Sequence, residues 1–343
     1  MSKLPKHVLV IRLSAMGDVA MTVPVLKELA SQYPEIKITV LTRSFFSPFF
    51  RDIENLNIFE ADLKGKHKGL FGLYKLSREL AALRFDAIAD LHNVLRSNII
   101  IRLLFGIKRI QIDKGRSAKK ELINGNKFHQ LKTTHERYAD VFRKLGFKID
   151  LSTPKFPARV ELKNELNNLI GNETNLVGIA PFAAFKSKAY PLELMEEVIA
   201  VLTKTHNVLL FGGGKEEIEK LNQIEGRFDK VINLAGKLTL EQELDVISNL
   251  KMMISMDSGN AHLAAMMGIE VITLWGVTHP FAGFYPFNQD PTNALLADRK
   301  KFPKIPTSVY GNSFPEGYDN AIATITPEQI IEKALAISSK PVA

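Results

Sequence analysis

Cysteine is absent from this chain of 343 residues. That excludes a disulfide scaffold, a thiolate zinc site, an iron–sulfur cluster and a cysteine nucleophile. No run approaches the roughly 18 apolar residues of a membrane-spanning helix, so none is expected. The opening MSKLPKHVLVIRLSAMGD begins basic, but its apolar run ends at Ile11 and Arg12 follows. A signal peptide needs a longer apolar core, so the expectation is a cytoplasmic protein, with contact to a membrane from that side left open. There is no Asp-x-Asp pair and no histidine pair at the i, i+4 spacing of a zinc site. A reaction without metal is therefore the expectation. G-x-S-x-G, Walker A and G-x-G-x-x-G sequences are missing too, which weakens hydrolase, kinase and dinucleotide readings.

Apolar residues make up 45% and charged residues 24%, which excludes disorder, collagen and coiled coil as the main architecture. At roughly 150 residues per domain the length suggests two domains. The net charge of +8 is unevenly spread: residues 1–155 hold 28 basic and 15 acidic side chains, net +13, and the remainder 17 and 22, net −5. An anionic partner is therefore expected for the N-terminal half only. A phosphorylated substrate and a membrane surface are candidates. Nucleic acid is not expected as a partner, because no recognised binding motif accompanies the charge.

HVLVI, KITVLT (37–42), FDAIADLH (85–92) and RIQID (109–113) read as strands. Helical spacing follows or separates them in VAMTVPVLKELASQYP, LYKLSRELAAL and HERYADVFRKLG. Strands alternating with helices predict a parallel sheet. From 151 to 174 the chain turns polar and holds two prolines, which reads as a linker with a short helix. A second alternation then begins with LVGIAPF, NVLLFGGG, KVINLAG, KMMISMDSG and VITLWG as strands running into turns. The expected domains are 1–155, a linker 156–174, a second domain 175–326, and a last helix within 327–343 that is expected to pack back on one of them, the N-terminal one in particular. Two Rossmann-like halves imply a cleft, and ligands of parallel sheets bind outside the carboxyl ends of the strands.

Four turns there carry candidate chemistry. In Ser14-Ala15-Met16-Gly17-Asp18, Asp18 is either a helix N-cap or a general base for an acceptor hydroxyl. In Phe182–Pro191, Lys186 and Lys188 are either solvated or face a phosphate. Gly212-Gly213-Gly214 allows close approach of a ligand, and Glu216 or Glu217 is able to accept from a ribose diol. Met256-Asp257-Ser258-Gly259-Asn260-Ala261-His262 joins a strand to a small-residue helix whose free N–H groups suit phosphate. Asp257 would repel phosphate and better suits sugar hydroxyls, and His262 lies one turn in.

In this order, VIRLSAMGDVAMTVPVLKELASQYP, DLHNVLRSN, HERYADVFRKLG, KAYP, FGGGKEE, NLAGKLTLEQELDVI and MDSGNAHLAAMMGIEVITLWGVTHP resemble glycosyltransferase family 9, the ADP-heptose:lipopolysaccharide heptosyltransferases. The resemblance implies an α/β GT-B fold of two Rossmann-like domains facing across a cleft, and inverting transfer without metal or cofactor. It places the catalytic aspartate at Asp18 and the catalytic lysine at Lys188. Donor binding falls to Gly17, Ala183, Ala184, Glu216 (Glu217 as the alternative register), Asp257, Ser258, Gly259 and His262. Acceptor binding falls to Ser14, Met16, His92, Arg96 and Arg137. At 183 and 184 this chain has alanines where the family commonly has hydroxyl residues, so a related sugar nucleotide stays open as donor. A non-catalytic nucleotide- or glycan-binding protein is the remaining alternative.

The implied partners are a nucleotide-sugar donor and a phosphorylated glycolipid acceptor meeting the basic half. Lys108, Arg109, Lys114, Arg116, Lys119 and Lys120 fall in one short span there, either a solvated face or an anion-binding one. FFSPFF and GLFGLY, beside Lys64, Lys66 and Lys68, are expected either to pack in the core or to touch the inner membrane peripherally.

Overall fold

The computed structural model describes residues 4–171 and 175–340. Its contacts divide the chain into two compact units: residues up to Lys114 with Lys132–Lys155, and Gly115–Leu131 with Phe156 onward.

The first unit is built on β1 (His7–Ile11), β2 (Lys37–Thr42), β3 (Leu56–Glu60), β4 (Ala87–Asp90) and β5 (Lys108–Gln111). All pair in parallel, in the order β3-β2-β1-β4-β5. All five residues of β1 are buried, as a central strand covered on both faces requires. The helices are α1 (Met16–Ala20), α2 (Thr22–Gln32), α3 (Gly69–Ala81) and α4 (Leu95–Leu103), with α6 (Thr134–Leu145) after an excursion. Leu73, Leu76 and Leu80 of α3 share a core with Leu9, Ile11, Ile88 and Ile100. FFSPFF forms a 3₁₀ turn, Ser44–Phe50, that buries Phe46, Phe49 and Phe50.

The excursion is α5 (Arg116–Ile123) and the loop to Leu131. The sequence placed it in the N-terminal domain, but its apolar side chains find their partners in the second unit. Leu122 and Leu131 cluster with Ala282, Phe281 and Phe284, and the Leu131 N–H donates to the Phe281 carbonyl at 3.0 Å. Lys119 is buried, with its ammonium 4.0 Å from the centre of the Phe284 ring. The basic span expected as one cluster is thereby split: Lys108, Arg109 and Lys114 belong to the first unit, Arg116, Lys119 and Lys120 to the second.

The second unit holds α7 (Asn164–Ile170), β6 (Leu176–Ala180), α8 (Leu192–Leu202), β7 (Asn207–Leu210), α9 (Lys215–Glu225), β8 (Val231–Asn233), α10 (Leu240–Ile247), β9 (Met252–Met256), α11 (Gly259–Met266), β10 (Glu270–Trp275), β11 (Ala294–Leu296) and α12 (Pro327–Ser338). Its parallel sheet runs β11-β10-β9-β6-β7-β8. The expected linker packs on this unit: the Val160 N–H donates to Ser248 Oγ and Arg159 Nε to Asn249 Oδ1. Part of that expected linker, 172–174, lies outside the described residues. The last helix, expected above to pack back on the N-terminal domain, belongs to this unit. Ile330, Ala334 and Ile337, spaced to share one helix face, join the core of Val198, Leu202 and Ile272. Residues 341–343 of that expected segment lie outside the described residues.

Candidate active site

In the first unit the strand order reverses between β1 and β4, with Ile11 paired to Asp90 at their carboxyl ends. Ligands of open parallel sheets bind outside such a reversal. The turn after β1 brings Asp18 there, in the first turn of α1. The N-cap position is Ala15, so Asp18 does not cap the helix. Its carboxylate instead meets the buried Arg12 guanidinium, Nη2 to Oδ2 at 2.6 Å. Arg12 is itself fixed by a 2.7 Å bond from Nη1 to the Leu91 carbonyl. Tyr138 donates its hydroxyl to the Asp18 carbonyl at 3.3 Å, so α6 braces the same turn.

His92 follows β4. Asp90 is fully buried and accepts from four groups: the His92 and Asn93 N–H, Ser97 Oγ and Gln111 Nε2. That network sets the backbone from which His92 projects. Burial, and then the Arg12 charge, push the His92 imidazole down to about 4, so it is neutral at pH 7. Its buried Nδ1 has no hydrogen-bond partner among the described residues.

Ser14 and Arg96 line a cavity of about 620 Å³ at the carboxyl ends of β1, β2 and β3, with Arg43, Lys64, Lys66 and Phe45. Glu60 and Asp62 also line it, so cations exceed carboxylates four to two. Met16 and Gly17 are half-buried in the Asp18 turn. Arg137 is turned inward as a strut, donating to the Lys132 carbonyl and the Asp113 carbonyl, each at 3.2 Å. It thereby ties together the two points where the chain leaves and re-enters this unit.

In the second unit the order reverses between β6 and β9. The turn after β9 presents Asp257, Ser258 and Gly259, and Ser258 is the N-cap of α11. Lys188, after β6, reaches across to Asp257, Nζ to Oδ2 at 2.9 Å, with both side chains largely buried. Thr278, after β10, donates to the same oxygen at 2.9 Å. Ser258 Oγ bonds Ser255 Oγ at 3.1 Å and makes no cap bond, which leaves the first amides of α11 outside its reach. Two close approaches hold the lysine in place. A Cβ on Gly276 would lie 2.6 Å from the Ser187 carbonyl, and one on Gly311 (φ +82°) 2.5 Å from Lys188 Cδ. Tyr190 locks the following turn by donating to the Ile325 carbonyl at 2.7 Å. Three strand ends thus place an ammonium, its paired carboxylate and a helix N-terminus together; the ammonium and the N-terminus suit phosphate, the carboxylate suits hydroxyls.

Ala183 is half-buried and Ala184 exposed in the turn after β6. His262 is buried in α11. Glu216 is exposed in the first turn of α9, whereas Glu217 bends back to accept from the Gly213 N–H at 2.8 Å. Sequence reading passed over Arg12, Asp90 and Thr278. Arg12 reads as the end of an apolar run, and nothing local to Thr278 signals that β10 ends beside β9. Among the described residues no group of three or more His, Asp or Glu side chains is arranged to hold a metal ion.

Comparison with known proteins agrees with this layout. The sequence profile of glycosyltransferase family 9 (heptosyltransferase) matches residues 73–309. Lipooligosaccharide heptosyltransferase 2 of Campylobacter jejuni is 24% identical over 325 residues, covering 93% of this chain and 94% of that one. The lipopolysaccharide core heptosyltransferase OpsX of Haemophilus influenzae is 27% identical over 295 residues, 80% of each chain. Among solved structures, a glycosyl transferase family 9 protein of Veillonella parvula superposes with a TM-score of 0.76 at 20% identity, over 97% of both chains. Escherichia coli heptosyltransferase WaaC, solved with ADP, gives 0.70 at 21% identity, over 96% of this chain and 99% of that one. Two Rossmann-like units with these likenesses define a glycosyltransferase of the GT-B fold. The chain belongs to glycosyltransferase family 9, the heptosyltransferases.

Proposed function

We propose that this chain transfers a heptose from ADP-heptose to a phosphorylated glycan of the lipopolysaccharide core, in the cytoplasm, by direct displacement without a metal. The observation that carries the reading is the pair of reversal points: a carboxylate held by Arg12 in one unit, an ammonium held by Asp257 beside a helix N-terminus in the other. The donor class is supported by solved relatives, which include heptosyltransferase WaaC with ADP and with ADP-2-deoxy-2-fluoro heptose. The acceptor class is supported by the names of the curated relatives and by the excess of cations in the Ser14–Arg96 cavity.

The chemistry then assigns each group a task. The acceptor hydroxyl loses its proton to Asp18 as its oxygen bonds to the anomeric carbon. Arg12 occupies Oδ2, so Oδ1 is the oxygen that takes the proton. The bond from the anomeric carbon to the diphosphate breaks on the opposite face, and a single displacement inverts the configuration. The departing pair of electrons stays on ADP, whose charge meets Lys188 and the first amides of α11. Asp257 and Thr278 hold the lysine in position. Glu216 serves the ribose, because Glu217 is committed to its own turn. Ser14, Met16, His92, Arg96 and Arg137 serve the acceptor, His92 as a neutral hydrogen-bonding group and Arg137 by shaping the loop. Gly17, Ser258, Gly259 and His262 line the donor with their backbone or ring. Water has to be kept from the reacting atoms to limit hydrolysis of the donor.

A second reading, another sugar nucleotide as donor, is favoured by Ala183 and Ala184, which offer only backbone N–H groups to a diphosphate. One experiment decides between them. The protein is incubated with ADP-heptose, other ADP-sugars and UDP-sugars in the presence of truncated lipopolysaccharide, and the mass of the product is read. Addition of a heptose unit from ADP-heptose alone is the expected result. Transfer from a uridine nucleotide in preference would reject the donor assignment.

A further inference from the structure

The surface of the first unit carries large apolar side chains that are exposed among the described residues. Phe71 is 93% exposed, Leu95 78%, Leu70 70% and Tyr74 54%. Single exposed apolar residues are ordinary, but these are grouped. Leu70, Phe71 and Tyr74 occupy the outward side of the first turns of α3, and Leu95 begins α4, which packs against α3. Both helices start at the carboxyl edge of the sheet, so the four share one rim. Further along α3 the outward positions become Lys75 and Arg78.

The same rim is cationic. Lys64, Lys66 and Lys68 precede α3, and Arg96 lies in the first turn of α4. Lys68 is the N-cap of α3, and no acidic residue occupies its first turn. Cations at the positive end of a helix are opposed by its dipole. Glu79 offsets Lys66 at 3.3 Å, and Lys64, Lys68 and Arg96 have no ion pair among the described residues, so an anion placed there offsets them. The loop that presents the lysines is built firmly. Asp62 accepts from the Gly65 and Lys66 N–H at 2.8 and 2.9 Å. Buried His67 accepts the Asp62 N–H on Nδ1 at 3.1 Å and donates from Nε2 to Glu79 at 3.2 Å. The loop backbone lies so close to α3 that a Cβ on Gly72 would meet the His67 carbonyl carbon at 2.2 Å.

We propose that this rim docks on an anionic lipid surface, with Leu70, Phe71, Tyr74 and Leu95 entering the interface while Lys64, Lys68 and Arg96 meet headgroup phosphates. Exposed aromatics beside lysines are the chemistry such an interface selects. Charge complementarity decides against a second copy of the chain, since two such rims would bring like charges together. Lys64, Lys66 and Arg96 also line the 620 Å³ cavity, so docking sets its mouth at the lipid headgroups. Where the acceptor is a glycolipid, as in the reading above, its sugar then reaches the cavity while its acyl chains stay in the bilayer.

The test uses the full chain and no acceptor, so it stands or fails apart from the transferase reading. Co-sedimentation is measured with phosphatidylethanolamine vesicles, with and without phosphatidylglycerol. Binding to the anionic vesicles only, weakened by added salt, is expected. Leu70→Ser with Phe71→Ser is expected to lower that partition by about tenfold or more, with turnover on a soluble delipidated acceptor unchanged. Lys64→Glu with Lys68→Glu is expected to remove the preference for anionic lipid. In Phe71→Trp, vesicles are expected to shift the new emission to the blue; the native Trp275 is buried and reports nothing. Equal binding to neutral vesicles, no binding to either, or a concentration-dependent dimer that Phe71→Ser abolishes would each overturn the proposal.

Discussion

Arg12 and Asp18 are held 2.6 Å apart at the carboxyl end of one buried strand, with Arg12 nearly sealed from solvent and Asp18 29% exposed. In the mechanism proposed above, Arg12 orients the carboxylate that takes the acceptor's proton. Asp18→Asn is therefore expected to lower kcat by about 10²–10⁴-fold while the affinity for ADP stays within about twofold. Single-turnover transfer and calorimetry check the two halves, and undiminished turnover would remove Asp18 from the mechanism. Arg12→Met is expected to cost roughly 2–4 kcal/mol of stability, since it strands the Leu91 carbonyl and one carboxylate oxygen.

Lys188 and Asp257 form the corresponding pair in the second unit, and both are largely buried. Lys188→Ala is expected to weaken ADP binding and to cost about 3 kcal/mol, because it leaves a buried carboxylate unpaired. Thr278→Val removes one hydrogen bond and is expected to cost about 1 kcal/mol. Denaturation of the single and double variants measures the coupling. Purely additive costs would show that Thr278 does not act through Asp257.

Gly311 keeps the lysine stem where it is. An alanine there faces a strained φ and a contact of 2.5 Å with Lys188 Cδ. Gly311→Ala is expected to cost roughly 1–3 kcal/mol and to weaken ADP binding by displacing Nζ. A variant that loses stability but binds ADP as tightly as before would separate the glycine from the site.

His92 and His279 are both pushed down to about 4, chiefly by burial and then by the charges of Arg12 and Arg299. An unfolded histidine titrates near 6.5, so the unfolded chain takes up these protons first. The contribution of each is complete above about 6.5 and is lost as pH falls through about 4, by up to roughly 3 kcal/mol. Urea midpoints followed from neutral to acid pH are expected to fall less steeply in His92→Asn than in the native chain. Parallel curves would contradict this.

Glu243 shows the opposite sign. Burial pushes its carboxyl up to about 7, so its contribution is full below about 4.5 and is lost as pH rises through 7. Glu243→Gln is expected to raise stability by roughly 2 kcal/mol at pH 8 and to leave it unchanged at pH 4. Equal effects at both values would refute a titrating carboxyl.

Much of the fold was legible in the chain. The β-branched runs of β1, β2, β6 and β10 become buried parallel strands, where both faces need apolar cover. β3 was missed because LNIFE is half-exposed at a sheet edge, and β11 because it has three residues. The turns holding Asp18 and Asp257 were legible as strand-to-helix turns. Their caps were not: Ala15 and Ser258 take the N-cap positions, and both aspartates turn to cations instead.

Hydrophobic periodicity and the placing of glycine and proline determined the two alternating α/β halves and which turns hold polar side chains, because those follow from local backbone geometry and burial. Only the tertiary structure decided that Asp18 faces Arg12 and that Lys188, Asp257 and Thr278 converge. It also decided that residues 115–131 and the final helix join the second unit. Each of these depends on which strands become neighbours and where an apolar face finds cover, and both are settled by contacts between segments far apart in the chain.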